Sequence, residues 1–209
     1  MDRNRRNKRR IKPGKKKRNW LKILILLVLV LGMAGAGILL LPEKEIENTV
    51  KRYPMAYTDL IYRYAGENGL QPAHVAAVIL AESSYRPDAV STVNAQGLMQ
   101  LLPSTAEWIA GKFDESYTEG CLFDPETNIK YGCWYLGYLM ERFDGDLTCV
   151  TAAYHSGQGT VDKWLQDPQY STDGKTLAVI PGSNAHTYVN RILEYYENYE
   201  EIYAEQPAA

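Results

Sequence analysis

The sequence predicts a mostly α domain preceded by a single transmembrane helix. Three observations carry that expectation. Helical periodicity and helix-end signals recur almost throughout residues 53–203, few segments alternate with period two, and a 19-residue run without a charge lies upstream. No internal repeat is present, and residues 53–203 suffice for one domain with a real core.

The elements follow in chain order. Residues 1–22 hold 12 Lys/Arg against one acid, Asp2, so this arm carries +11. The remaining 187 residues hold 11 Lys/Arg and 24 Asp/Glu, a balance of −13. Ile23–Leu41 is the uncharged run; as a helix it is about 28 Å long, close to the thickness of a bilayer core. Trp20 and Lys22 suit its inner edge, and the basic arm keeps the N-terminus cytoplasmic, with the domain outside the cell membrane. A cleaved signal peptide is the competing account, because Ala34-Gly35-Ala36 resembles a cleavage site. The apolar Ile38–Leu41 continuation favours an uncleaved anchor. Beside a membrane span, topology explains the basic arm more simply than nucleic-acid binding does.

Residues 42–52 read as a charged linker. A first helix is expected near Pro54–Glu67, stopped by the Asn68-Gly69 C-cap signal. Pro72 opens a second that reaches Glu82, and residues 86–97 read as a loop. Pro103-Ser104-Thr105 starts a short helix through Trp108. Asp124-Pro125 is an N-cap followed by Pro at N1, opening a long helix to about Phe143. Further helices are expected over Asp146–Tyr154, around Trp164, and from about Asn184 to Tyr203, with 204–209 as a tail. Cys121, Cys133 and Cys149 are compatible with one disulfide and a free thiol, or with buried free thiols. The absence of paired CxxC motifs and the few histidines argue against a zinc site, and nothing calls for a metal or other cofactor.

Glu82 is the residue that most needs explaining. Val75, Val78, Ile79 and position 82 follow i, i+3, i+4, i+7 spacing, so the carboxylate falls on an apolar stripe in the last helical turn. The helix dipole and burial both disfavour its ionised form there. A carboxylic acid kept protonated near neutral pH is what a general acid needs. A small twist of the helix would instead leave it facing water. The 16 tyrosines and 4 tryptophans are many for this length; besides filling a core, such side chains line sugar-binding grooves.

Glu82-Ser83-Ser84-Tyr85, Gly97-Leu98-Met99-Gln100 and Ala153-Tyr154-His155 resemble, in order and spacing, the three signature motifs of the soluble lytic transglycosylase (SLT) catalytic domain family. Arg86–Ser91, Asn128–Gly132 and Tyr188-Val189 extend the resemblance over about residues 53–199. It implies a lysozyme-like fold and non-hydrolytic cleavage of the β-1,4 bond from N-acetylmuramic acid to N-acetylglucosamine in peptidoglycan. Glu82 would act first as acid, then as base toward the muramic acid C6 hydroxyl, leaving a 1,6-anhydro end. One carboxyl group used twice departs from the usual glycosidase pair.

The resemblance also implies roles for neighbours. Tyr154 would hydrogen-bond and orient Glu82, and Ser91 would help place the N-acetyl group or the C6 hydroxyl. Gln100 would line the groove, Gly97 would let the backbone approach the sugars, and Met99 would supply an apolar contact. Tyr188 would close one side of the cleft. His155 departs from the family's Asn; a histidine donates a similar hydrogen bond but titrates near neutral pH. The alternatives are a hydrolytic muramidase on the same fold and a non-catalytic peptidoglycan-binding module. Expected partners are glycan strands, the membrane through the N-terminal helix, and an unidentified envelope-spanning machinery. General wall turnover and a dedicated secretion, conjugation or sporulation role both fit.

Overall fold

A computed structural model describes residues 43–203. The basic arm, the expected membrane span Ile23–Leu41 and the tail 204–209 lie outside the described residues. Among the described residues no helix is long and apolar enough to cross a membrane.

Eight α-helices are described: α1 Glu43–Arg52, α2 Thr58–Glu67, α3 Pro72–Ser83, α4 Pro103–Ala110, α5 Pro125–Arg142, α6 Leu147–Ser156, α7 Gln158–Leu165 and α8 Ser183–Tyr203. Short 3-10 turns cover Gly111–Phe113 and Cys121–Phe123. Pairing between extended segments among the described residues is confined to isolated bridges, Val90 with Gln96 and Gln96 with Leu101. The expected charged linker is therefore helical as α1, since Glu and Lys are good helix formers and Lys51 and Arg52 suit its negative end. The helices expected over Asp146–Tyr154 and around Trp164 are separated only by a corner. Gly157 takes φ 82° there, and α7 begins at once.

Local chemistry explains the starts. Asp124 caps α5, accepting from the Thr127 N–H at 2.9 Å, and Asp146 caps α6 through the Cys149 N–H at 2.7 Å. Pro occupies the first turn of α3, α4 and α5, where its missing N–H costs nothing.

Helix α3 is central. It packs on α2 and α8, and α8 also packs on α6. His74, Val75, Ala76, Ala77, Val78 and Ile79 are all buried, so the helix is apolar nearly all round, broader than the stripe expected from its periodicity. Burial pushes the pKa of the His74 imidazole down to about 4, which leaves that ring neutral. Tyr199 donates to the Pro54 carbonyl at 2.6 Å and Tyr203 to that of Tyr53 at 2.8 Å, tying the end of α8 to the start of the domain.

Two apolar clusters result. The larger joins α2, α3, α5, α6 and α8; the smaller lies under α4 and contains Leu101, Ile109, Leu122 and Tyr131. Tyr135 and Tyr154 pack against both, so they mark the seam between them. All three cysteines are free thiols, with Cys133 and Cys149 buried.

Asn128 holds the seam from inside. Fully buried on α5, it accepts from the Met99 N–H at 2.7 Å and donates to the Gln96 and Leu122 carbonyls, each at 2.9 Å. One amide thus ties three backbone groups, from the 96–99 loop and the 3-10 turn at Leu122, to α5. Gly97 is required beside it: φ is +77°, and a Cβ there would sit 2.1 Å from the Leu122 oxygen. Asn128→Ala is expected to cost about 2–4 kcal/mol and Gly97→Ala a comparable amount, measured by urea unfolding. A loss below about 1 kcal/mol for Asn128→Ala would contradict this reading.

Candidate active site

Glu82 is the penultimate residue of α3, among carbonyls that the helix leaves unpaired. The chain then leaves the helix abruptly through Ser84 and Tyr85, both left-handed at φ 51° and 61°. Ser83 donates back to the Ile79 carbonyl at 3.2 Å, and Arg86 Nε donates to the Ser83 carbonyl at 3.0 Å, which secures this turn. The Glu82 carboxyl is half-buried and faces α8.

The group that holds it is Tyr188. Its hydroxyl donates to Glu82 Oε1 at 2.5 Å from a ring only 4% exposed. Burial, with the Glu82 charge beside it, drives the Tyr188 pKa well above 10, so it keeps its proton and can donate it to the carboxyl. Burial likewise pushes the Glu82 carboxyl above its ordinary 4.5, while the Tyr188 hydrogen bond and the Arg191 charge partly oppose the shift.

His155 and Arg191 both lie against the Tyr188 ring. The imidazole stacks on it with centroids 4.3 Å apart and 20° between planes; the guanidinium lies 5.8 Å from its centroid. Burial and the Arg191 charge hold His155 below its usual 6.5, so its titration moves away from neutrality toward acid.

Tyr154 corrects an expectation. Its hydroxyl donates to the Met99 carbonyl at 2.9 Å, and the bond to Glu82 comes from Tyr188 instead. From α6 Tyr154 reaches across the seam to the 97–100 loop, near enough to Glu82 for that charge to raise its pKa further. Met99 is fully buried, and its sulfur fills the space left by Gly132, where a Cβ would stand 2.2 Å away. It is a core anchor more than a groove contact. Gln100, left-handed at φ 50°, uses its Nε2 to donate to the Ala89 and Gly97 carbonyls. Ser91 Oγ accepts from the Val93 and Ala95 N–H groups, so it braces its own turn and hydrogen-bonds neither Glu82 nor Tyr154.

The structure therefore brings together Glu82, Tyr188, His155, Tyr154 and Met99, with Gly97 and Gln100 shaping the loop beneath; Ser91 braces the turn that ends at Ala95. From the sequence Arg191 has no assigned role, and Asn128 stands only within a motif resemblance, without its part in holding the 97–100 loop. Arg191 had a signal, being one helical turn beyond Tyr188; Asn128 had another, a short amide inside a helix where such residues are disfavoured. Among the described residues no cluster of three or more His, Cys, Asp or Glu is placed to hold a metal ion.

Residues 59–176 match the family model described as "Transglycosylase SLT domain". The soluble lytic murein transglycosylase of Escherichia coli (strain K12) is 34% identical over 160 residues, covering 75% of this chain and 25% of that protein. Membrane-bound lytic murein transglycosylase C of Actinobacillus pleuropneumoniae serotype 5b (strain L20) is 30% identical over 168 residues, covering 70% and 46%. Among solved structures, an inactive mutant of lytic transglycosylase Slt from Pseudomonas aeruginosa superposes with a TM-score of 0.66 at 32% identity, covering 77% of this chain and 26% of that one. A 70-kDa soluble lytic transglycosylase in complex with bulgecin A gives 0.67 at 31% identity, with the same coverage. The chain spans about a quarter of the length of these soluble relatives.

The electrostatics of Glu82 make a stability prediction. Below the ordinary carboxyl pKa both folded and unfolded chains carry the proton, and burial costs nothing extra. As pH rises the unfolded chain ionises first, so the fold loses stability up to the raised pKa and stays weakened above it. Glu82→Gln should match wild type in Tm near pH 4 and exceed it by roughly 1–3 °C near pH 8. An unchanged or lower Tm at pH 8 would contradict the raised pKa.

Proposed function

The chain belongs to the transglycosylase SLT family, and we propose that it is a membrane-anchored lytic transglycosylase that cuts peptidoglycan without consuming water. The observation that carries this reading is the half-buried Glu82 carboxyl, pushed up in pKa by burial and held by one hydroxyl donor, Tyr188, at 2.5 Å.

In this reaction Glu82 starts protonated. Tyr188 occupies Oε1, which leaves the transferable proton on Oε2. That proton passes to the oxygen linking muramic acid C1 to the next N-acetylglucosamine, and the C1–O bond breaks. The substrate's own N-acetyl oxygen stabilises the positive charge at C1. The carboxylate, still held by Tyr188, then takes the proton of the muramic acid C6 hydroxyl while that oxygen bonds to C1. Glu82 ends protonated and the product is a 1,6-anhydro ring. The raised pKa serves the first step and the Tyr188 bond the second, because it steadies the ionised form. His155 and Arg191 keep the Tyr188 ring in place, and Tyr154 acts through the Met99 carbonyl to fix the 97–100 loop against the cleft. Gly97, Gln100 and Ser91 shape the loops on which the sugars would lie.

We further propose that residues 23–41 anchor the chain, with 1–22 cytoplasmic, 42–52 as connector and 53–203 facing the wall. Their uncharged composition and the basic arm before them support this. A relative described as membrane-bound is compatible with it.

Wild type incubated with purified sacculi should release muropeptides ending in 1,6-anhydro-N-acetylmuramic acid, and Glu82→Gln should cut at least about a hundredfold more slowly. Mass spectrometry reads the outcome. Reducing N-acetylmuramic acid ends, heavier by one water, would establish hydrolysis; equal and negligible release by both proteins would leave a binding module.

A further inference from the structure

Helix α5 carries aromatic residues at 131, 134, 135 and 138, the i, i+3, i+4, i+7 spacing of a single face. A stripe built only to fill a core would be buried along its length, as Tyr131 is beneath the stacked ring of Phe113. Beyond that residue the stripe emerges, with Trp134, Tyr135 and Tyr138 each half-buried. The Tyr138 ring lies nearly parallel to those of Trp134 and Tyr135, with 11° between planes in each pair. Trp108 of α4 stands edge-on to all three, with centroids at 5.3, 6.2 and 5.3 Å, and is 37% exposed.

This aromatic file runs on from Tyr154, the α6 tyrosine whose hydroxyl holds the Met99 carbonyl. Tyr135 lies 5.5 Å from Tyr154, which is near enough to Glu82 to feel its charge, and from Tyr135 the next rings are Trp108 and Tyr138. Among the described residues the indole N–H groups of Trp108 and Trp134 donate to no protein acceptor, whereas the Tyr138 hydroxyl is spent on Gln158. Lys112 places its ammonium 5.5 Å from the Trp108 ring centroid. Flat apolar faces, free N–H donors beside them and a nearby cation match one kind of ligand. A pyranose ring presents an apolar C–H face and a rim of oxygen acceptors, and muramic acid substituents add carboxylates.

We propose that Trp108 and Trp134, backed by Tyr138, form a stacking subsite for sugar rings of the glycan strand a few residues away from the bond cut at Glu82. The subsite grips strands long enough to reach from Glu82 to α4, so it favours long glycan over short fragments. The inference rests on the reading of this chain as a peptidoglycan-cutting enzyme, but its test does not depend on cutting.

The full chain carrying Glu82→Gln is titrated calorimetrically with defined N-acetylglucosamine–N-acetylmuramic acid tetrasaccharide and octasaccharide. Adding Trp108→Ala should weaken octasaccharide binding about tenfold and leave tetrasaccharide binding unchanged. Trp108→Phe, which keeps a flat ring, should recover most of the loss and controls for folding. Equal octasaccharide affinity with and without Trp108→Ala would overturn the subsite, as would failure of the parent protein to prefer the longer chain. Binding that shows the expected Trp108 dependence in a protein whose wild type cuts nothing would uphold the subsite and sink the catalytic reading.

Discussion

One hydrogen bond, from the Tyr188 hydroxyl to Glu82, joins the two helices around which the domain is organised. Helix α3 is buried nearly all round and ends on the acid; α8 crosses it and supplies the donor. A carboxyl group in the last turn of a buried helix is disfavoured by desolvation and by the helix dipole at once. Tyr188 offsets part of that cost, and its own burial keeps it a donor. The pairing is a compromise, since full compensation would leave the carboxyl an ordinary acid and none would hold it neutral at every working pH. His155 and Arg191 act on this balance through the Tyr188 ring, and Arg191 also through its charge.

The opposite wall depends on a different device. The loop bearing Gly97 to Gln100 has almost no regular structure to satisfy its backbone, so one buried amide, Asn128, does so from α5. Gly97 and Gly132 leave the room that this docking needs, the first for backbone and amide, the second for the Met99 side chain. Tyr154 closes the arrangement by taking the Met99 carbonyl. The loop is thus pinned at adjacent points to two helices, and the seam between the apolar clusters becomes a site of defined shape.

Much of this was legible in the sequence because the signals were local. Proline at N1, aspartate caps and the Asn68-Gly69 stop act within a turn, and they set α3, α5 and α6 nearly as observed. The isolated acid in the last turn of an apolar helix was equally plain. The choice of its partner was not. Tyr154 and Tyr188 are both aromatic, both near Glu82, and separated only by the packing of α6 and α8, which no local pattern encodes. The family resemblance therefore points to Tyr154 for the bond that Tyr188 makes. Met99 and Ser91 carry a related lesson. Their surroundings come from Gly132 and from a turn's own N–H groups, so one proved an anchor and the other a brace. The aromatic spacing along α5 was visible as a period, but its exposure depends on α4 lying beside it.

The central claim is that Glu82 is a raised acid steadied by Tyr188. It is tested most directly by carbon-13 NMR titration of the glutamate side-chain carboxyls in wild type and in Tyr188→Phe, with Glu82→Gln used to assign the signal. The account predicts a Glu82 midpoint above 4.5 in wild type and a higher one once the donor is removed, because the lost hydrogen bond had favoured the charged form. A wild-type midpoint at or below 4.5, or a downward shift in Tyr188→Phe, would contradict it.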